Sequence, residues 1–350
     1  MSYDDLTGNT NGLFPRLAPP VLNLAVNDNL SVLLGLRYSS ATFATDDFLL
    51  TALSADRRNK IAYFLVMITP AMWSANYIVA RAAPETIGPH LLAFSRWALA
   101  LCLMLPVALP ELYRKWPHWR DELRSFLMLG ALGMWVCGAF VYIGGHTTEA
   151  LNIGLLYAIA PVLIAVASAV LFDDRLRGLQ IVGVALSLIG MLIIVLKGAL
   201  VNLLQLNFSR GDLWILTAVL CWTLYSILLR KWPSSLSTFT RLAAITAGGL
   251  LVLLPFTLIE IATIGLPQDV GRAWLLVLVV AILPGFGAYQ AYSFLQQELG
   301  ASRAGLVLYV SPLYTALIAW WLLAEPPRWY HAVGACLILP GMYLAMRKPE

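Results

Sequence analysis

The chain has 350 residues, of which 60% are hydrophobic and only 12% charged, with a formal net charge of +4. Soluble domains carry about twice that share of charge, so an ordinary soluble globule is excluded and the apolar surface calls for lipid as its solvent. The small net charge gives no reason to expect a nucleic-acid partner. Cys102, Cys137, Cys221 and Cys336 all lie in apolar runs without metal-ligand spacing.

Residues 1–60 come first in chain order and differ from the rest. Their most apolar stretch, Val21 to Leu36, is interrupted by Asn23, Asn27, Asp28, Asn29 and Ser31. It therefore has neither the unbroken core of a secretory signal nor the ~18 apolar residues of a span. A disordered tail is expected there. From Ile61 onward, apolar runs at 61–82, 89–110, 125–146, 150–172, 178–197, 212–230, 238–261, 273–295, 301–324 and 329–346 alternate with short polar breaks. Each can cross ~30 Å of hydrocarbon at ~1.5 Å per residue. Unpaired backbone groups are intolerable in lipid, so each run must be a helix. The expected fold class is all-α integral membrane with ten transmembrane helices. Arg57, Arg58, Lys60, Arg114, Lys115, Arg120, Arg124, Arg230 and Lys231 gather on one set of connections, opposite the sparser Arg81, Lys197, Arg210 and Arg272. The excess of cations on the cytoplasmic side of membrane proteins then predicts that both termini are cytoplasmic.

The two halves of the span region resemble one another. Ala150 pairs with Ala301, Gly154 with Gly305, Pro161 with Pro312, Gly183 with Gly334 and Gly190 with Gly341, all at one fixed offset. The offset shortens in the earlier spans, where Trp73 matches Trp222 and Phe94-Ser95-Arg96 matches Phe239-Thr240-Arg241. Repeats of five spans each, 61–198 and 211–348, enter the membrane from opposite sides, which predicts inverted topology and an alternating-access mechanism. Gly154, Pro161, Gly305 and Pro312 are the candidate hinge or packing residues, because small residues admit close helix approach and proline removes a helical hydrogen bond.

The order and duplication of Trp73-Ser-Ala-Asn76, Phe94-Ser-Arg96-Trp97, Leu155-Leu-Tyr157-Ala-Ile-Ala-Pro161, Cys221-Trp-Thr, Phe239-Thr-Arg241 and Leu308-Tyr309-Val-Ser-Pro312 resemble the drug/metabolite transporter superfamily. The likeness is to proteins with two tandem EamA domains. The resemblance implies ten helices, a central cavity between the halves, a bacterial-type inner or plasma membrane, and export or exchange of small polar metabolites such as amino acids. The tail 1–60 has no counterpart in that pattern, and Asp174 stands where the family more often has Glu.

Buried charge in a span costs at least ~2.5–3.5 kcal/mol at mid-bilayer, so Arg96 and Arg241 each need a reason. They can attract a substrate carboxylate or phosphate, or they can snorkel and bond helix-end carbonyls; recurrence in both halves favours the structural role. Trp73, Asn76 and Tyr77 share one helical face, and Trp135 and Tyr142 lie a heptad apart. Trp222 and Tyr225 repeat the first-span pattern, Tyr289 and Gln290 load the eighth span, and Tyr157 and Tyr309 belong to the matched fourth- and ninth-span motifs. These residues make up the candidate substrate cavity. Among carboxylates none falls in mid-span, leaving His146 with Glu149 as the candidate proton-coupling pair. No metal-spaced cluster, nucleophile elbow or phosphate loop occurs, so neither metal, cofactor nor enzymatic activity is expected. The expected partners are a small-molecule substrate and membrane lipid. A sugar-phosphate or nucleotide-sugar antiporter is the alternative transporter reading, and an integral-membrane enzyme a more distant one.

Overall fold

The computed structural model describes residues 55–148, 150–172, 176, 178–205, 209–323 and 326–346, and among these every regular element is helical. The apolar runs become α1 (Ala55–Ala82), α2 (Pro89–Arg114), α3 (Trp116–Gly145), α4 (Ala150–Phe172), α5 (Leu179–Val195), α6 (Arg210–Lys231), α7 (Thr238–Ile264) and α8 (Val270–Leu299). Next, α9 starts as Ala301–Gly305, tightens to a 3₁₀ turn over Leu306–Val310 and resumes as Ser311–Leu323, and α10 spans Trp329–Met346. Among the described residues, nine of these helices are long and apolar enough to cross a bilayer, and α5 is a shorter apolar helix. Outward-facing side chains such as Val170 (77% exposed) and Ile264 (73%) make an apolar exterior that only lipid can cover.

The helix ends depart from the hydropathy limits where charges meet. Helix α1 starts at Ala55 rather than 61, and its first turns are held by Asp56 with Lys60 at 2.7 Å and by Arg58 on Glu298 of α8. Most of the predicted tail, residues 1–54, lies outside the described residues, as do Glu149, Asp173, Asp174 and Glu325.

Two contacts fix how the helices pair, and each occurs twice. Helices α5 and α10 touch backbone to backbone. A Cβ on Gly183 would collide with Gly341 and Ala345, and one on Gly334 would collide with Ile194 and Gly190. Such approach gains dispersion contacts that lipid cannot supply. Helices α2 and α7 exchange carboxylate caps. At one end Glu260 of α7 accepts from the first free N–H groups of α2, His90 N at 3.0 Å and Leu91 N at 2.8 Å, and from His90 Nδ1 at 2.9 Å. At the other end Glu111 of α2 accepts from Ser237 N at 2.9 Å and from the hydroxyls of Ser237 and Thr240 at 2.5 and 2.6 Å, at the start of α7. A negative charge at a helix N-terminus satisfies orphan donors and meets the positive end of the macrodipole.

Two helices also change type midway. Ala131–Phe140 of α3 and Ala281–Gly287 of α8 are π-helical, which misaligns backbone carbonyls and frees them for side chains. By contrast α4 stays α-helical through Pro161, whereas the 3₁₀ turn of α9 ends just before Pro312. The matched prolines thus sit in different backbone settings.

Candidate functional site

Helices α1, α2, α3, α4, α6, α8 and α9 converge on a buried cavity of about 50 Å³ lined by Trp73, Asn76, Arg96, Cys137, Tyr157, Trp222, Tyr289 and Leu308. Its walls are aromatic. The Trp73 ring meets Trp222 edge-on at 5.3 Å and Tyr289 at 6.3 Å, and Trp222 meets Tyr289 at 5.5 Å. Trp97 closes the far side of Tyr289 at 4.8 Å. Edge-to-face pairs of this kind hold their rings in fixed orientation and add ~0.5–1.5 kcal/mol each beyond area burial.

The π-helical carbonyls position the polar members. Gly133 O of α3 accepts from Tyr289 OH at 2.8 Å, Met134 O from Trp97 Nε1 at 3.1 Å, and Pro284 O of α8 from Arg96 Nη2 at 3.3 Å. Arg96 is only 2% exposed. Its guanidinium also donates to Asn76 Oδ1 and Tyr142 OH, both at 3.4 Å, and lies 4.6 Å from the Trp97 ring centre. Tyr142 in turn donates to Asn76 Oδ1 at 2.6 Å. All these partners are neutral, the bonds from the guanidinium are long, and Arg96 Nε has none among the described residues. A buried cation so weakly compensated keeps a strong attraction for an anion.

Six of the sequence-derived cavity residues therefore meet: Trp73, Asn76, Arg96, Tyr157, Trp222 and Tyr289, with Tyr142 behind them. Tyr225 stacks on Trp222 at 5.4 Å, one layer out. Trp135 is elsewhere, stacked on Phe256 of α7 at 4.2 Å. It packs against the same cluster as Tyr142, but the π-helical stretch over Ala131–Phe140 removes the α-helical rotation that the heptad spacing assumes, and Trp135 is not among the cavity-lining residues. Gln290 and Tyr309 are not among the lining residues, although Gln290 Oε1 and Tyr309 OH are buried without partners. Arg241 lies at the start of α7 on a second cavity. The side chain of Tyr77 lies outside the described residues. So does Glu149, and its presumed partner His146 is exposed beyond the end of α3. A histidine–carboxylate contact does occur in the helix bundle, between His90 and Glu260, residues too far apart in sequence for spacing to link them. Sequence reading also passed over Cys137, Leu308 and Trp97 as wall residues; the adjacency of Trp97 to Arg96 was the one available signal.

Apolar helices long enough to span a bilayer, seven of them meeting at an aromatic cavity with a buried cation, agree with the comparison to known families. The EamA-like transporter family matches residues 60–196 and again 209–347. The chain belongs to that family. It is a tandem EamA transporter of the drug/metabolite transporter superfamily and a multi-pass integral membrane protein. Among relatives, this EamA protein is 26% identical to the uncharacterized transporter YyaM of Bacillus subtilis, over 81% of its own chain and 92% of the relative. It is 25% identical to an uncharacterized transporter of Archaeoglobus fulgidus (83% and 99% covered). It is 23% identical to the S-adenosylmethionine/S-adenosylhomocysteine transporter of Chlamydia trachomatis serovar D (78% and 86%). One solved crystal structure shares the fold at a TM-score of 0.62, with 20% identity, covering 81% of this chain and 96% of that one.

Proposed function

We propose that this transporter exports or exchanges a small amphipathic solute carrying a carboxylate, such as an amino acid, by alternating access. The observation that carries the reading is Arg96, a buried guanidinium with neutral partners only, set in a wall of Trp73, Trp222 and Tyr289. The carboxylate neutralises Arg96, and the apolar portion of the solute lies against the rings. A sugar phosphate or nucleotide sugar fits less well, because Arg96 is the single cation among the lining residues. The Chlamydia relative is named as a transporter of S-adenosylmethionine and S-adenosylhomocysteine, whose amino-acid end supplies a carboxylate and whose adenine ring can stack on the same wall.

The mechanism rests on inverted halves, 61–198 and 211–348, with both termini cytoplasmic. Each paired contact recurs as its own image, which supports the inversion. The Gly183–Gly341 approach is mirrored by Gly190–Gly334, and the Glu111 cap on α7 by the Glu260 cap on α2. At about 50 Å³ the cavity has room for one or two waters. A cavity of that size is too small for an amino acid, so a solute is accommodated only when the surrounding helices move apart.

Counterflow into proteoliposomes with labelled amino acids tests this. Saturable exchange by the wild type, reduced ~10-fold or more in Arg96→Gln with insertion intact, is expected from losing one charge-assisted contact. Equal exchange by the two proteins would remove Arg96 from the substrate path.

A further inference from the structure

A second and larger cavity, about 240 Å³, opens where α6 and α8 end and α7 begins. It is lined by Arg230, Thr238, Arg241, Ser293, Gln296 and Gln297, over a floor of Leu229, Leu242 and Ile245. Two of its polar side chains have unmet bonding capacity. Arg241 donates from Nη2 to the Trp232 carbonyl, but its buried Nε has no acceptor. Gln296 is 7% exposed; its Nε2 donates to Ser226 O at 3.2 Å, which fixes the amide orientation and leaves the buried Oε1 without a donor. Arg230 sits at the rim, its guanidinium 4.6 Å from the Phe172 ring centre. Of the neighbouring carboxylates, Glu298 pairs with Arg58, while Glu122 accepts from Ser234 and Ser235 and its charge also reaches Arg241.

An unsatisfied cationic donor beside an unsatisfied acceptor is the complement of a zwitterion. We propose that this cavity is a separate docking site for the head group of an α-amino acid, its carboxylate on the Arg241 guanidinium and its ammonium donating to Gln296 Oε1 once that buried amide turns toward the cavity. The inference deepens the transport reading by naming a second station, and it rests on that reading for the substrate class. Arg241 is the repeat partner of Arg96 but lies about one turn nearer its helix start, ~6 Å shallower at 1.5 Å per residue. The same guanidinium is thereby presented first near a membrane face and then at the centre. Between the stations stands a closed layer: Tyr292 and Ser226, both fully buried, share a hydroxyl hydrogen bond of 2.9 Å, and the Tyr292 ring packs on Trp73 and Trp222 at 5.4 and 4.9 Å. Solute docked at this peripheral station, on the cytoplasmic side in the orientation proposed above, cannot pass until that layer parts.

The test is equilibrium binding to the purified full-length protein, by titration calorimetry with the standard L-amino acids, inorganic phosphate, and short-chain anionic phospholipid as probes. At least one amino acid should bind the wild type, and Arg96→Gln should keep that binding while losing counterflow. Arg241→Gln should weaken it ~10- to 100-fold. Because Arg241 also holds the Trp232 carbonyl, Arg230→Gln, exposed at a helix end, serves as the variant safe for folding and should weaken binding several-fold. Gln296→Leu should weaken amino acids while leaving their N-acetylated forms unaffected. The proposal is overturned if no amino acid binds the wild type, or if Arg241→Gln and Arg230→Gln bind normally. It is equally overturned if phosphate or the phospholipid binds there in preference, which would make the cavity a phosphate or lipid-headgroup site. Normal counterflow by Arg96→Gln would sink the central-site reading alone and leave the binding result standing.

Discussion

Replacing Glu260 with alanine removes the acceptor for two backbone N–H groups and an imidazole at the start of α2. Glu260 is 7% exposed, so water replaces little of what is lost. Each buried donor left unmet costs ~1–3 kcal/mol, which for the two backbone groups alone gives ~2–6 kcal/mol. The macrodipole adds a few tenths to ~2 kcal/mol. Glu260→Ala should therefore lose about 3–5 kcal/mol, in the range for breaking one side of a buried pair. Glu260→Gln keeps one acceptor oxygen and should lose about half of that. His90→Ala spares both backbone bonds and should cost about 1 kcal/mol. The assay is thermal unfolding in detergent, followed as the monodisperse fraction surviving a heating series. The expected order of midpoints is wild type, His90→Ala, Glu260→Gln, Glu260→Ala. A Glu260→Ala midpoint matching wild type, or one no lower than that of His90→Ala, would refute the view that backbone capping dominates this contact.

Gly341→Val should abolish folded protein while leaving membrane insertion intact, because its Cβ would strike Gly183 and Ser187 of α5; the readout is loss of the monodisperse peak at unchanged membrane yield. A variant retaining Cys137 alone should react slowly with a small charged thiol reagent, since that cysteine lines a narrow cavity of about 50 Å³, and added substrate should change the rate. A rate equal to that of a variant whose single cysteine replaces the water-exposed Asp121 would mean that the cavity stands open. Tyr289→Phe, which removes the bond to Gly133 O but keeps the ring, should lower counterflow by ~2- to 10-fold without lowering the thermal midpoint by more than a few degrees.

What could be read from the chain follows from what lipid demands. Hydrocarbon forces each apolar run into a helix, so the runs marked out α1 to α10 within a few residues at most ends. Duplicated residues such as Trp73 with Trp222 led to the cavity wall because the same helix face turns inward in both halves. Trp135 was misplaced for the opposite reason. Both sides of α3 are apolar, so nothing in its periodicity marks where α turns give way to π turns, and a face inferred from heptad spacing is then wrong. The pairs Glu260 with His90 and Glu111 with Ser237 were hidden because sequence spacing relates residues within one helix, and these contacts join two. Arg241 shows an intermediate case. Its match to Arg96 was visible, but its place nearer the start of its own helix, on a separate cavity, was not.

The exchanged caps of α2 and α7 have a consequence for how the protein is made. Glu111 and Ser237 are 126 residues apart, and His90 and Glu260 are 170. At ~5–20 residues per second of synthesis, the open start of α2 waits roughly 9–34 s for its acceptor, and Glu111 roughly 6–25 s for its donors. Throughout that interval the first five helices sit in the bilayer as an unfinished object, with a bare helix end at one surface and a loose carboxylate at the other. Release of the second half supplies both missing partners within a short stretch of chain. The nascent transporter thus stays incomplete at both ends of α2 until α7 is in place.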